Sequence, residues 1–330
     1  MMLRTALYLS LALFSTGALA DVAGTLQAMY RDAMVQRATA LATNGDQLAA
    51  SLEAYCAGSA GDAGLAGPRS IWHKAVIRWE RLSAVAIGPV LEQRVARRID
   101  FHPTRPRLIL KAIQSAPASA RDMELIGTPA KGFPALEWLL WTQPVQPATP
   151  ACAYAVRVAK EIGVEAHMLE QAYKLAASRT LKDQAAQVAL GELVNQWVGG
   201  LERLRWTHME MPVRVAGTAG PDAVPVYPRG ASGVVATTWA AQWDLLHTLA
   251  VGGGAGSLAA LLRDLGQGRL AENLAGAVAR ADAGMAGLDP ADKTRILATA
   301  KDLAALKGLV ENEVAPALGV SIGFSDSDGD

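Results

Sequence analysis

Cysteine is nearly absent from this chain, which has two, Cys56 and Cys152, in 330 residues. So few exclude a disulfide-scaffolded fold and a zinc ribbon. An excess of charge of one sign is missing too. Thirty-one basic and 31 acidic side chains cancel, and no basic block stands out. A nucleic-acid binder draws much of its affinity from neutralising phosphates, so that partner class is excluded. Aromatic residues make up only 5%, and no segment alternates apolar with polar residues as a half-buried strand does. What is abundant is Ala and Leu, which favour helix. The length permits one large domain or two of ordinary size.

The common catalytic signatures are also lacking. There is no His-Glu-x-x-His, no Gly-x-Ser-x-Gly and no Walker loop. The glycine run Gly252–Gly256 has neither a preceding strand nor a Lys-Ser/Thr pair, and reads as a helix connection. The five histidines are scattered, and no Cys/His cluster has zinc-ligand spacing. A di-iron bundle would need two Glu-x-x-His motifs and two further glutamates, and these are missing.

Residues 1–20 carry Arg4, an apolar run from Ala6 to Phe14, and then Ala18-Leu19-Ala20. That order fits a secretory signal peptide cleaved after Ala20, with a membrane anchor as the alternative. No later run is long enough to span a membrane, so the expected location is the periplasm. Export changes the reading of the cysteines. In an oxidising compartment a lone pair closes one disulfide, and two buried free thiols are the alternative.

Helical spacing begins at once, with Leu26, Met29/Tyr30, Ala33/Met34, Ala38 and Leu41 on one face. Asn44-Gly45-Asp46 is expected to break it and to cap a second helix through Leu48, Leu52 and Tyr55. A third helix places Trp72, Val76, Trp79 and Leu82 inward and ends near Gly88-Pro89. Pro103 and Pro106 keep the segment from Ile99 to Arg107 out of regular helix. The Pro-rich stretch Gln143–Pro150 is the linker candidate. Helical patterns follow over 151–177 and 181–210, then a Pro/Gly-rich loop over 211–233, and a last long helix from Pro290 to Ala315. Trp79-Glu80-x-Leu82 with Ala86-Ile-Gly88 echoes Trp243-Asp244-x-Leu246 with Ala250-Val-Gly252. The expected fold is therefore all-α, two four-helix-bundle-like domains related by duplication, spanning 21–148 and 149–330. The tryptophans at helical spacing read as core.

Few residues stand out chemically. His167 and Glu170 share neighbouring turns but sit off the apolar stripe, which reads as a solvated pair. Glu137, in Gly132-Phe-Pro134-Ala-Leu-Glu137-Trp-Leu-Leu-Trp141, has two readings. It either complements the helix dipole or turns inward as a metal ligand or hydrogen-bond acceptor. Arg229 and Ser232 could hold a carboxylate or phosphate; alternatively Ser232 caps a helix and Arg229 is solvated. The ending Asp326-Ser-Asp328-Gly-Asp330 resembles the start of a calcium loop, but lacks the closing glutamate.

The Gly132–Trp141 segment resembles the hallmark of the imelysin family, exported iron-regulated bacterial proteins also grouped as M75 peptidases. The family pattern is Gly-x-His-x-x-Glu followed by an aromatic and Leu-Leu. Gly132 and Glu137 match it, and Pro134 stands at the histidine position. The resemblance continues in Trp72…Trp79…Gly88-Pro89, Arg98-Ile-Asp100-Phe-x-Pro103, Arg229-Gly-Ala-Ser232-Gly and Leu318–Phe324. It implies two duplicated helical bundles with a site between them and a role in iron acquisition. Iron or haem is the implied ligand, and a membrane iron-transport component the implied partner. The site residues it implies are Gly132, Glu137, Asp100, His102, Arg229 and Ser232, with Glu137 as the surviving metal ligand. The expectation is a non-catalytic binding or accessory protein. The alternatives are an exported metallopeptidase, which needs about three protein ligands and an open position, and a metal-free helical interaction module.

Overall fold

The structure is a computed structural model that describes residues 21–58, 64–220, 222–253 and 256–323. The expected leader over 1–20 and the acidic ending lie outside the described residues. Among those residues all regular structure is helical.

The first half contains α1 (Val22–Ala28), α2 (Val35–Cys56), α3 (Ala66–Ser83), α4 (Pro89–Glu92), α5 (Val95–Ile99), α6 (Pro106–Gln114), α7 (Ala120–Glu124), α8 (Gly132–Glu137) and α9 (Pro150–Ser178). The second contains α10 (Asp183–Glu202), α11 (Met211–Ala219), α12 (Val235–Val251), α13 (Leu258–Asp264), α14 (Gly268–Met285), α15 (Lys293–Leu309) and the short α16 (Ala315–Ala317). Four helices run on through a π-helical turn, at Met29–Met34, Trp138–Thr142, Arg203–Glu210 and Val310–Val314.

Two expected breaks are absent, for physical reasons. Helix α2 continues through Asn44–Asp46, because Gly45 serves close packing rather than a stop. A Cβ there would lie 2.9 Å from the Cα of Gly163 on α9, so the bare backbones set how closely the two helices approach. The loop expected from residue 211 begins only after Ala219. Pro212 follows a π-helical turn, whose widened ladder tolerates the missing N–H.

The Pro-rich stretch before α9 is a stapled turn. The Tyr55 hydroxyl donates to the Val145 carbonyl at 2.9 Å, and the Ala148 N–H donates to the Cys56 carbonyl at 3.1 Å. Cys56 and Cys152 form a disulfide with Cα atoms 5.6 Å apart. Helix α9, which a boundary at 148/149 assigns to the second bundle, packs along α2 and against α8. Helices α2, α3, α8 and α9 thus form one packed group, and α10, α12, α14 and α15 the other.

The groups meet where α3 lies against α12. These two helices carry the echoed sequence, and Trp72, Trp79, Trp239 and Trp243 are all buried. The echo extends to hydrogen bonding. The Trp79 indole N–H donates to Asp100 and that of Trp243 to Asp282, each at 2.7 Å. The residues after the tryptophans diverge. Asp244 stays half-exposed and bridges Arg37 and Arg81 at 2.9 and 3.2 Å, whereas Glu80 is buried. That difference gives the joint a charged interior.

Candidate site at the junction of the two helical groups

Glu137 closes α8, a helix whose start depends on Gly132. Gly132 has φ 75°, and a Cβ there would fall 2.2 Å from the Ile99 carbonyl oxygen. Only glycine allows the turn to press against the end of α5. Pro134 is buried in the following turn. Glu137 is 6% exposed. Its Oε1 accepts the Ser232 backbone N–H at 3.0 Å and the Ser232 hydroxyl at 2.7 Å. The carboxylate therefore ties α8 to the loop leading into α12. His73 on α3 reaches the same loop. Its Nε2 lies 3.2 Å from the Ser232 carbonyl oxygen, which can only accept, so Nε2 carries the proton. The ring stacks on Trp141 with centroids 5.0 Å apart, and burial lowers its basicity.

The same loop delivers Arg229, 2% exposed and held at φ 64°, a left-handed conformation that is costly for a side chain-bearing residue. Nε and Nη2 both donate to Glu80 Oε1 at 3.1 Å, and Nη2 donates to Asp100 Oδ1 at 2.6 Å. Its Nη1 finds no hydrogen-bond partner, and the guanidinium carbon lies 5.9 Å from the centre of the Trp72 ring. Asp100 is completed by the Trp79 indole on Oδ2 and by His102 Nε2, 3.1 Å from Oδ1. Burial alone would raise the Asp100 carboxyl, but Arg229 and His102 hold it well below the usual range. For Glu80, burial raises the carboxyl against the pull of Arg229.

Gln242 on α12 extends the network. Its Nε2 donates to Glu80 Oε2 at 2.7 Å, and its Oε1 lies 2.9 Å from His208 Nδ1. Beside these groups is a cavity of about 180 Å³, walled by Trp79 and Trp239 and lined by His102, Arg203, His208 and Thr238. Burial first, and then the neighbouring Arg203 charge, pull the His208 imidazole down to about 3. Arg203 donates through Nη2 to the carbonyls of Ser83 and Ala84 at 3.3 and 2.9 Å. Burial lowers its basicity as well.

Five of the residues singled out in the sequence thus converge. Asp100 and His102 join Arg229, and Ser232 joins Glu137. Gly132 serves the helix start. Arg229 and Ser232 engage the protein's own carboxylates, and the Arg229 guanidinium is buried rather than solvated. His167 is half-exposed and bonds Asp46 at 2.9 Å, but Glu170 is buried and accepts from Thr39 and Lys174 at 2.8 and 2.7 Å. Sequence reasoning missed Glu80, Gln242, His208, Arg203 and His73. Glu80 left one signal, a carboxylate beside a core tryptophan in the echoed motif.

A resident transition metal does not fit these residues. Among the described residues no group of three or more His, Cys, Asp or Glu side chains is arranged to hold a metal ion. Glu137 Oε1 is already taken by Ser232, Pro134 offers no donor, and the Nε2 of His73 points its proton at a carbonyl. A metallopeptidase centre has no ligand set here.

The all-helical fold is one that known proteins share. The family model described as Imelysin (peptidase M75) matches residues 34–317, and the chain belongs to the imelysin family. Its fold is shared with an imelysin-like protein from Psychrobacter arcticum 273-4, at a TM-score of 0.76 and 21% identity over 93% of this chain and 98% of that one. It is shared as well with a protein from Parabacteroides distasonis ATCC 8503 described as an iron-regulated protein A precursor. That match has a TM-score of 0.71 and 14% identity over 90% of this chain and 96% of the other. No curated protein matches the chain.

Proposed function

We propose that this protein is an exported, non-catalytic accessory component of bacterial iron acquisition, working through the polar cavity between its helical groups. Family membership and the iron-regulated description of one structural relative support the iron context. The disulfide supports an oxidising compartment such as the periplasm. No helix among the described residues is long and apolar enough to cross a membrane. Work at a membrane iron transporter would therefore proceed by docking.

The single observation that carries the reading is the charged cluster buried at the joint. Glu80, Asp100 and Arg229 come from α3, the segment after α5 and the loop before α12. Buried ion pairs are weak contributors to stability compared with apolar packing, so their concentration beside a cavity points to recognition. The cavity is smaller than the several hundred cubic ångströms typical of pockets for larger organic ligands. Haem is accordingly a poor occupant, and the donor set disfavours bare iron. The reading is tested by deleting the gene and growing the strain with and without an iron chelator. Slower growth of the deletion strain only under iron limitation, restored by the wild-type gene but less by Arg229→Met, is the expected result. Equal growth, with expression that does not respond to iron, overturns it. A chelator-sensitive proteolytic activity of the purified protein would favour the metallopeptidase reading instead.

A further inference from the structure

Arg203 is a half-buried cation without an acidic hydrogen-bond partner. Glu80 and Asp100 are engaged by Arg229, and Glu137 by Ser232. Among the described residues, Arg203 uses only Nη2, on two backbone carbonyls, and leaves Nε and Nη1 free while its side chain lines the cavity. A guanidinium with unfilled donors beside a cavity of about 180 Å³ is a ready receptor for a carboxylate or another oxyanion.

His208 adds directionality when the Arg229 guanidinium keeps Glu80 ionised. With Arg229 donating twice to its Oε1, Glu80 in the ionised form can only accept through Oε2, which places the Gln242 amide nitrogen on that side. Gln242 Oε1 must then accept from His208 Nδ1–H. In the neutral ring that arrangement leaves Nε2 with a free lone pair. Arg203 and His208 rise from one π-helical turn, Arg203–Glu210, and both line the cavity. The void, which Glu80 and Asp100 also line with their charges met by Arg229, thus offers a cationic donor pair and, on the same element, a neutral acceptor.

We propose that this cavity binds a small hydroxycarboxylate, its carboxylate held by Arg203 and its hydroxyl donating to His208 Nε2. The assignment rests on the cavity being a binding site, as proposed above, and does not depend on the iron role. It names a ligand class that neither the family nor the structural relatives supply.

The test is calorimetric titration of metal-free protein at constant ionic strength with lactate, acetate, lactamide and inorganic phosphate. Tryptophan fluorescence follows in parallel, because Trp79 and Trp239 wall the site. Lactate is expected to bind saturably, more tightly than acetate, with lactamide weaker than lactate by about tenfold or more, the loss of a charge-assisted hydrogen bond. Arg203→Gln is expected to weaken lactate by a similar factor and lactamide by less, because only lactate loses a charge-assisted bond. If no probe binds, or lactamide equals lactate, the anion site is refuted. Acetate equal to lactate refutes the role of His208, and phosphate tighter than lactate refutes the carboxylate assignment. The lactate–lactamide comparison uses only wild-type protein, so it decides even if Arg203→Gln fails to fold. A chain that binds lactate but is dispensable under iron limitation would keep this proposal and remove the iron reading.

Discussion

Lowering the pH from 7 to 5 should destabilise this protein through His208, by an amount the structure sets. In the folded state burial and the Arg203 charge hold the imidazole neutral down to about pH 3, against an ordinary value of 6.5. The unfolded chain therefore takes up a proton in a range where the folded chain does not. Stability from this group is complete above about pH 6.5 and is lost as the pH falls from there toward 3. Each pH unit within that window is worth about 1.4 kcal/mol, which gives about 2 kcal/mol between pH 7 and 5. Other histidines titrate in the same interval. Burial lowers His73 and so adds to the loss, whereas the Asp46 hydrogen bond raises His167 and opposes it. The measurement is therefore a difference. Urea unfolding of wild type and His208→Asn, whose amide can still donate to Gln242, is followed at both pH values. Wild type should lose about 2 kcal/mol more than the variant. Equal losses would show that His208 is not held neutral, and the hydrogen-bond directions assigned around Gln242 would fall with it.

Two further perturbations probe the same joint. Arg229→Met leaves Glu80 and Asp100 buried without their cation and should cost about 3–5 kcal/mol; adding Glu80→Gln and Asp100→Asn should recover most of it. Thermal unfolding of the single and triple variants decides, and a single variant as stable as wild type would mean the cluster is not desolvated. Pro134→His places the family's imidazole back at its position. Because Glu137 is committed to Ser232, the variant should bind zinc no better than wild type by equilibrium dialysis, and a gain of stoichiometric zinc would refute the fit argument.

What could be read in the sequence, and what could not, divides along the distance over which each signal acts. The helices were legible because Trp72, Val76, Trp79 and Leu82 repeat at helical spacing, a local property of the chain. Asp100, His102, Glu137, Arg229 and Ser232 were legible through family resemblance. Glu80 was not, since a glutamate within a helix is ordinarily a solvated residue. Its burial depends on Arg229, 149 residues away, and Gln242, 162 away. Arg203 and His208 are ordinary members of a long helical pattern until α3 and α12 pack. Gly45 misled for a related reason. Its sequence neighbours, Asn44 and Asp46, suggest a stop, whereas its actual partner is Gly163 on another helix. Pro212 misled because the preceding π-helical turn has no simple signature in single-sequence periodicity.

The placement of Arg229 shows how the joint is held together. A left-handed backbone at a non-glycine residue costs of order 1–3 kcal/mol and persists only where its surroundings over-determine it. Here three bonds to Glu80 and Asp100 fix the guanidinium, and two bonds from Ser232 to Glu137 fix the backbone three residues on. One loop is thus clamped by carboxylates from α3, from the segment after α5 and from α8, all in the first helical group, while it leads into α12 of the second. A purely apolar seam would hold α3 against α12 at least as firmly, but it could not set the direction of Gln242 or leave His208 Nε2 unspent. The charged seam does both where Arg229 keeps Glu80 ionised, since the carboxylate then dictates which way the amide points. The cost of burying charge is thereby coupled to a defined donor and acceptor pattern in the adjoining cavity, and a site that recognises a polar ligand needs that pattern in advance.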